Sequence, residues 1–283
     1  IINIAKIEHF NYNLIVIIYY KKVEAMKKII NNIDDILLEE LEGMQKAHGD
    51  IIKVNYEPMY VKRANQGNKV ILVSGGGSGH EPLHAGFVGY GMLDIACPGA
   101  IFTSPTPDQM EEATKSVKND SGVVFLVKNY TGDVMNFQMA EEMCKAEGID
   151  VRSIVIDDDV AVKDSLYTTG RRGIGATVFF EKVCGASSER GDDIDKVMQY
   201  ANYCKENARS MGMALTSCTV PAVGKPTFDI SDNEMEMGIG IHGEPGRERM
   251  PVKSANEIAE MMMDIICSDI PYKNNDEVIC MVN

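Results

Sequence analysis

Between residues 70 and 156 the chain alternates short, fully apolar runs with segments long enough to be helices. The runs are Val70-Ile71-Leu72-Val73, Leu93-Asp94-Ile95-Ala96-Cys97, Val123-Val124-Phe125-Leu126-Val127 and Val151-Arg152-Ser153-Ile154-Val155-Ile156. Runs of that length read as buried strands. Strands separated by helices imply βαβ units and a parallel sheet with helices on both faces, an α/β fold. Thr106 with Pro107 and Asp108 opens one such helix, reaching about Val117; residues 133–148 form the next. An earlier helix is expected over residues 33–45, with Asn32 as N-cap and Gly49 soon after its end. Another is expected over residues 192–211. Beyond about residue 205 the grammar changes. Residues 212–220 and 235–242 read as strands, a turn-rich connector lies between them, and residues 254–266 read as a helix. That suits a second α+β domain. The expected division is 1–25, 26–205 and 206–283.

Residues 1–25 differ in composition from the rest, being rich in Ile, Asn, Tyr and Lys, and Met26 opens the first well-patterned stretch. The expectation is a translated upstream leader with Met26 as the natural start. The apolar run at residues 14–18 is too short to span a bilayer, and no cleavage site follows it. At the other end, residues 278–283 read as a buried strand with nothing after it, as in a truncated frame.

The 283 residues carry a net charge of −14, which argues against nucleic acid or an anionic membrane as the main partner. The seven cysteines, Cys97, Cys144, Cys184, Cys204, Cys218, Cys267 and Cys280, are odd in number and lack C-x-x-C spacing. Buried reduced thiols in a cytoplasmic protein are expected, not disulfides or zinc.

The first strand runs into Ser74-Gly75-Gly76-Gly77-Ser78-Gly79-His80-Glu81-Pro82. Such a turn can present backbone N–H groups to a small polar ligand, or can need glycine for steric reasons alone. No lysine follows the last glycine, and His80 stands where G-x-G-x-x-G requires its third glycine, so a nucleotide site is not supported. A helix is expected from Glu81, with Pro82 in its first turn. His80 and His84 would then share a helix face at metal spacing, but no third ligand is evident. His9 and His48 read as incidental. His80 itself is a candidate donor, acceptor or base; the alternative is a histidine that only caps the loop.

His242, in Gly238-Ile239-Gly240-Ile241-His242-Gly243-Glu244-Pro245-Gly246, ends an apolar run among glycines. An unprotonated imidazole there could add to a carbonyl carbon; alternatively it is a strand-end histidine bonded to a backbone carbonyl. Lys128 and Asp133 follow a strand at its C-terminal edge, where α/β sheets place ligands. Asp133 suits proton abstraction from an alcohol and equally suits a helix N-cap; Lys128 could orient a hydroxyl. Asp157-Asp158-Asp159 reads as a solvated turn in preference to a magnesium site. Thr169-Gly170-Arg171-Arg172-Gly173 is an anion- or partner-binding turn, or a structural loop.

The segments SGGGSGHEP, CPGAIFTSPTPDQ, VKNYTGD, DDVAVKDS, TTGRRGIGAT, CTVPAVGKPTF and MGIGIHGEPG, taken in order, closely resemble the dihydroxyacetone-binding subunit of dihydroxyacetone kinases. The resemblance covers residues 26–283. It implies that His242 holds dihydroxyacetone covalently as a hemiaminal and that His80 and Asp133 handle the hydroxyl protons. It further implies that Gly77, Ser78, Gly79 and Lys128 contact the substrate. The chain itself would bind neither cofactor nor metal. ADP or ATP with Mg2+ would sit on a separate helical subunit or fused domain, with a phosphotransferase-system protein as donor in the ADP case. A homodimer is implied. Other members of the resemblance are sensors that assist a transcription activator.

Overall fold

The computed structural model describes residues 28–117, 120–270 and 272–283. The leader expectation for residues 1–25, and His9 with it, lie outside the described residues.

Asn32 accepts the N–H of Asp34 with its side chain and opens a 3-10 turn that passes directly into α1 (Ile36–His48). A hairpin follows that the sequence reading did not anticipate, β1 (Ile52–Tyr56) and β2 (Met59–Arg63), paired antiparallel. Its residues alternate poorly because β1 is a sheet edge, where Lys53 stands exposed. Next come β3 (Ile71–Ser78), β4 (Ile95–Ile101), α2 (Pro107–Lys115), β5 (Val123–Lys128), α3 (Thr131–Ala146) and β6 (Val151–Ile156). The six strands form one sheet in the order β1-β2-β4-β3-β5-β6. β4, β3, β5 and β6 are mutually parallel, whereas β2 meets β4 antiparallel. The sheet is therefore mixed, parallel except at the hairpin edge.

Period-two alternation divides the apolar runs between two layers. Leu72, Val124, Leu126, Ile154 and Ile156 pack with Leu41 of α1 and with Phe180, Cys184, Val197 and Ala201. Ile71, Val73, Val123, Phe125 and Val127 pack with Met110 and Ala113 of α2 and with Phe137 and Ala140 of α3. Helices cover both faces, and this double burial explains why the strands read as unbroken apolar runs. α2 opens with a reciprocal capping box between Thr106 and Gln109, which fixes its start at the expected residue.

α4 (Thr177–Glu189) was not anticipated, because its sequence follows a glycine- and arginine-rich turn and buries Glu181, Ser187 and Ser188 along its apolar face. α5 (Ile194–Asn207), capped by Asp193, ends four residues short of the expected limit. A second, antiparallel sheet contains β7 (Met213–Ala214), β8 (Glu234–Met237) and β9 (Glu248–Pro251). α6 (Ala255–Asp269) starts at a Ser254–Glu257 capping box and packs on Met235, Met237 and Met250. The two strands expected here are much shorter than read. β8 ends at Met237, and the next residue, Gly238, with a φ of +76°, turns the chain out of the sheet. Residues 278–283 are exposed and form no strand, contrary to the sequence reading. Cys97, Cys144, Cys184 and Cys204 are buried and free, whereas Cys218, Cys267 and Cys280 are exposed.

Candidate functional site

The glycine run is largely strand. Gly75, Gly76 and Gly77 continue β3 alongside Cys97, Pro98 and Gly99 of β4. Two of these glycines are needed for close approach. A Cβ on Gly75 would lie 2.5 Å from the Cys97 carbonyl oxygen, and one on Gly77 would lie 2.5 Å from the Thr103 nitrogen. The Ser78 hydroxyl donates to the Gly99 carbonyl at 2.7 Å. The Gly79 N–H donates to both carboxylate oxygens of Glu81, at 3.0 and 3.1 Å.

No helix forms from Glu81. The segment turns back through a short 3-10 stretch at Ala85–Phe87 to feed β4. The expected shared helix face of His80 and His84 therefore does not exist, and the two rings go to different partners. His84 is buried, with Nδ1 2.9 Å from Oε1 of Glu181. The His80 ring stacks on Phe102 with centroids 4.7 Å apart and planes 9° from parallel. His80 Nε2 lies 3.0 Å from Nε2 of His242. Among the described residues, no group of three His, Cys, Asp or Glu side chains is placed to hold a metal ion.

His242 is carried on the loop after β8 and is fixed from several directions. Glu244 accepts the His242 backbone N–H at 2.9 Å and faces Nδ1 at 3.0 Å. The Tyr130 ring meets the imidazole edge-on at 4.8 Å, and Phe102 does so at 5.2 Å. Burial alone would raise the Glu244 carboxyl, but the hydrogen bond from His242 holds it below its usual range. A carboxylate can only accept. Nδ1 of His242 therefore carries a proton, and in the neutral form of the ring Nε2 presents a lone pair. Two facing nitrogens need one donor, so His80 supplies Nε2–H. Neither Phe102, Tyr130 nor Glu244 was singled out from sequence. Phe102 has a φ of 56°, an uncommon conformation for a bulky residue.

Asp133 is not the helix cap; Tyr130 occupies that position, and Asp133 lies buried in the first turn of α3. Burial raises its carboxyl above the usual range against the opposing pull of Lys128, Ser104 and His242. Lys128, at the end of β5, is 1% exposed. Burial lowers its ammonium, opposed first by Asp133. The structure thus brings His80 and His242 into contact, with Lys128 and Asp133 near enough to influence each other's charge.

Asp158 and Asp159 are not a solvated turn. Asp158 accepts the N–H groups of Ile174 and Ala176 at 2.9 and 3.0 Å and also the Ser210 hydroxyl. Asp159 pairs with the fully buried Arg172 at 2.6 Å. Arg172 also donates to the Gly238 carbonyl at 2.7 Å, at the root of the His242 loop. Arg171 donates to Asp269 at 2.9 Å. The basic turn is therefore structural, and it anchors the loop that carries the imidazole.

Burial, followed by Lys128 and His242, lowers the His80 imidazole from 6.5 to about 3. His80 is then neutral through the ordinary working range. Between pH 6.5 and 3 the unfolded chain binds the proton that the folded chain refuses, so His80 costs stability as pH falls and nothing above 6.5. Denaturant unfolding at pH 7 and pH 5 should show the wild-type chain losing roughly 1–2 kcal/mol more than His80→Gln. Equal losses would contradict a buried neutral imidazole.

The Dak1 domain model matches residues 42–283. A curated relative, the dihydroxyacetone-binding subunit of the PEP-dependent dihydroxyacetone kinase of Escherichia coli K12, is 51% identical over 249 residues, covering 87% of this chain and 70% of the relative. The crystal structure of the dihydroxyacetone kinase of C. freundii superposes with a TM-score of 0.79 at 32% identity, over 87% of this chain and 46% of that one. The structure of a dihydroxyacetone kinase operon co-activator gives the same TM-score at 31% identity, over 87% of this chain and 75% of that one. Among the described residues no helix is long and apolar enough to cross a membrane. The match over most of the chain, together with relatives of this identity and coverage, shows that the chain belongs to the Dak1-domain family, alongside the dihydroxyacetone-binding subunits of dihydroxyacetone kinases.

Proposed function

We propose that this chain is the substrate-binding component of a dihydroxyacetone phosphotransferase, holding the ketone covalently on His242. The observation that carries this reading is the His242 imidazole, pinned by Glu244 at Nδ1 and facing His80 at Nε2. Nε2 adds to the ketone carbon, and the C=O double bond becomes a single bond. The oxygen takes the His80 Nε2 proton as His80 Nδ1 takes one from solvent, while the His242 Nδ1 proton passes to Glu244 and from there to solvent, so that both imidazoles and the hemiaminal end neutral. A bare alcohol such as glycerol has no carbon that can accept Nε2, so covalent capture rejects it despite its similar size.

The Asp133 carboxylate, made more basic by burial, accepts the proton of the terminal hydroxyl as that oxygen attacks a phosphoryl group. Lys128 orients the hydroxyl, and the strand end at Gly77, Ser78 and Gly79 forms the wall of the site. The phosphoryl group comes from ADP or ATP with Mg2+ on a helical partner subunit or domain. The PEP-dependent E. coli relative favours a phosphotransferase-system donor. The working unit is a cytoplasmic homodimer.

The solved co-activator, with its equal TM-score, supports a second reading, a dihydroxyacetone sensor. The buried Asp133 carboxyl favours phosphoryl transfer, since a sensor needs no hydroxyl base. The experiment is product formation from dihydroxyacetone and the phosphoryl donor, with and without the cognate helical partner. Dihydroxyacetone phosphate should form only with the partner present. Formation from ATP by the chain alone would contradict partner dependence, and no formation with any partner would favour the sensor.

A further inference from the structure

Behind Lys128 lies a buried polar pair that the proposed chemistry does not use. His84, in the turn after β3, and Glu181, on α4, are joined by the 2.9 Å Nδ1–Oε1 contact, with side chains 3% and 0% exposed. Among the described residues, Nε2 of His84 and Oε2 of Glu181 have no hydrogen-bond partner. Buried polar atoms are rarely left so. The unpartnered Nε2 points at a specific place. A Cβ built on Gly76 would lie 3.3 Å from His84 Nε2 and 3.2 Å from Nζ of Lys128. The two side-chain tips therefore converge over the Cα of Gly76, in space that any other residue would fill.

An ammonium offers three donors and no acceptor. An N–H facing it across that gap would repel it, and a lone pair would attract it. Oε1 of Glu181 can accept the Nδ1–H whether its carboxyl is ionised or protonated, and that hydrogen bond leaves the lone pair on Nε2. We propose that His84, locked by Glu181 as the Nδ1–H tautomer, is a positioning residue for Lys128: its Nε2 lone pair faces the ammonium over Gly76 and aims it at the substrate hydroxyl. The substrate part of this statement rests on the proposed function; the tautomer and the ordering of Lys128 do not.

The test uses the whole chain labelled with nitrogen-15 in histidine and lysine. Long-range proton–nitrogen correlation reads the His84 tautomer, and the Nζ cross-peak reads the order of Lys128. The wild type should show Nδ1 protonated, Nε2 as a lone pair and a sharp Lys128 signal. Glu181→Gln, which keeps an acceptor oxygen, should preserve all three. Glu181→Leu should mix the tautomers and broaden the Lys128 signal. Should Glu181→Leu fail to fold, His84→Asn serves instead, because it can still donate to Glu181 but lacks the Nε2 atom. It should broaden Lys128 alone. In turnover with the partner, Glu181→Leu and His84→Asn should raise KM for dihydroxyacetone about tenfold with a smaller change in kcat, and Glu181→Gln should stay within about twofold. A protonated Nε2 in the wild type, or a Lys128 signal and KM unmoved in His84→Asn, would overturn the proposal. A wild-type chain that never engages dihydroxyacetone would sink the proposed function while the tautomer and the Lys128 signal could still be read.

Discussion

His242→Ala should reduce partner-dependent phosphorylation of dihydroxyacetone by about 10³-fold or more, the scale on which loss of a covalent nucleophile is felt. Stability should fall by about 1–3 kcal/mol, because the buried Glu244 carboxylate loses its Nδ1–H donor and keeps only the backbone N–H of residue 242. The imidazole sits on a loop, about a fifth of it exposed, so the loss of its ring contacts with Phe102 and Tyr130 should leave the fold intact. The loss should fall in kcat as well as KM. Without the N–C bond the substrate is held only by hydrogen bonds, and its terminal hydroxyl is no longer fixed against Asp133. A coupled assay for dihydroxyacetone phosphate checks the rate, and a denaturant titration checks the fold. A variant retaining a tenth of wild-type turnover would mean that His242 is a hydrogen-bonding wall and not a nucleophile.

Arg172→Met should destabilise the protein by about 3–5 kcal/mol, because it leaves Asp159 buried without its counter-charge. The guanidinium is fully buried, pairs with Asp159 at 2.6 Å and donates to the Gly238 carbonyl. A midpoint drop on the order of 10 °C is expected in calorimetry. Replacing both partners, Arg172→Met with Asp159→Leu, should recover much of that loss, since an apolar pair carries no stranded charge. Stability and activity should separate in the double variant. The core is restored, but Gly238 has lost its tether, so the His242 loop should bind substrate more weakly. Equal stability of the single and double variants would show that the ion pair does not hold this junction.

Much of the central sheet was legible because burial on both faces writes itself as continuous apolar runs, as at residues 70–73 and 123–127. Capping chemistry was equally readable at Asn32 and Thr106, where the side chain bonds locally. What escaped was decided by tertiary context. The β1–β2 hairpin leaves Lys53 on an exposed edge and turns Arg63 of β2 to the buried Asp94, and so lacks the expected alternation. The segment after His80 has a proline well placed for a helix, yet the chain must turn at once to deliver Leu93 and β4. Asp158 and Asp159 look hydrophilic and are buried, because backbone N–H groups, Ser210 and Arg172 from later segments satisfy them. At the candidate site, the residues named from sequence carry reactive groups. Those overlooked, Phe102, Tyr130, Glu244 and Glu181, act by stacking on or orienting an imidazole, and only folding makes them its neighbours.

The most direct test is carbon-13 NMR of dihydroxyacetone labelled at its ketone carbon, mixed with the chain and, in parallel, with His242→Ala. The account predicts that the carbonyl resonance gives way to a bound tetrahedral carbon with the wild-type chain and persists with the variant. A bound ligand whose ketone resonance is unchanged on the folded wild-type chain would contradict covalent capture by His242.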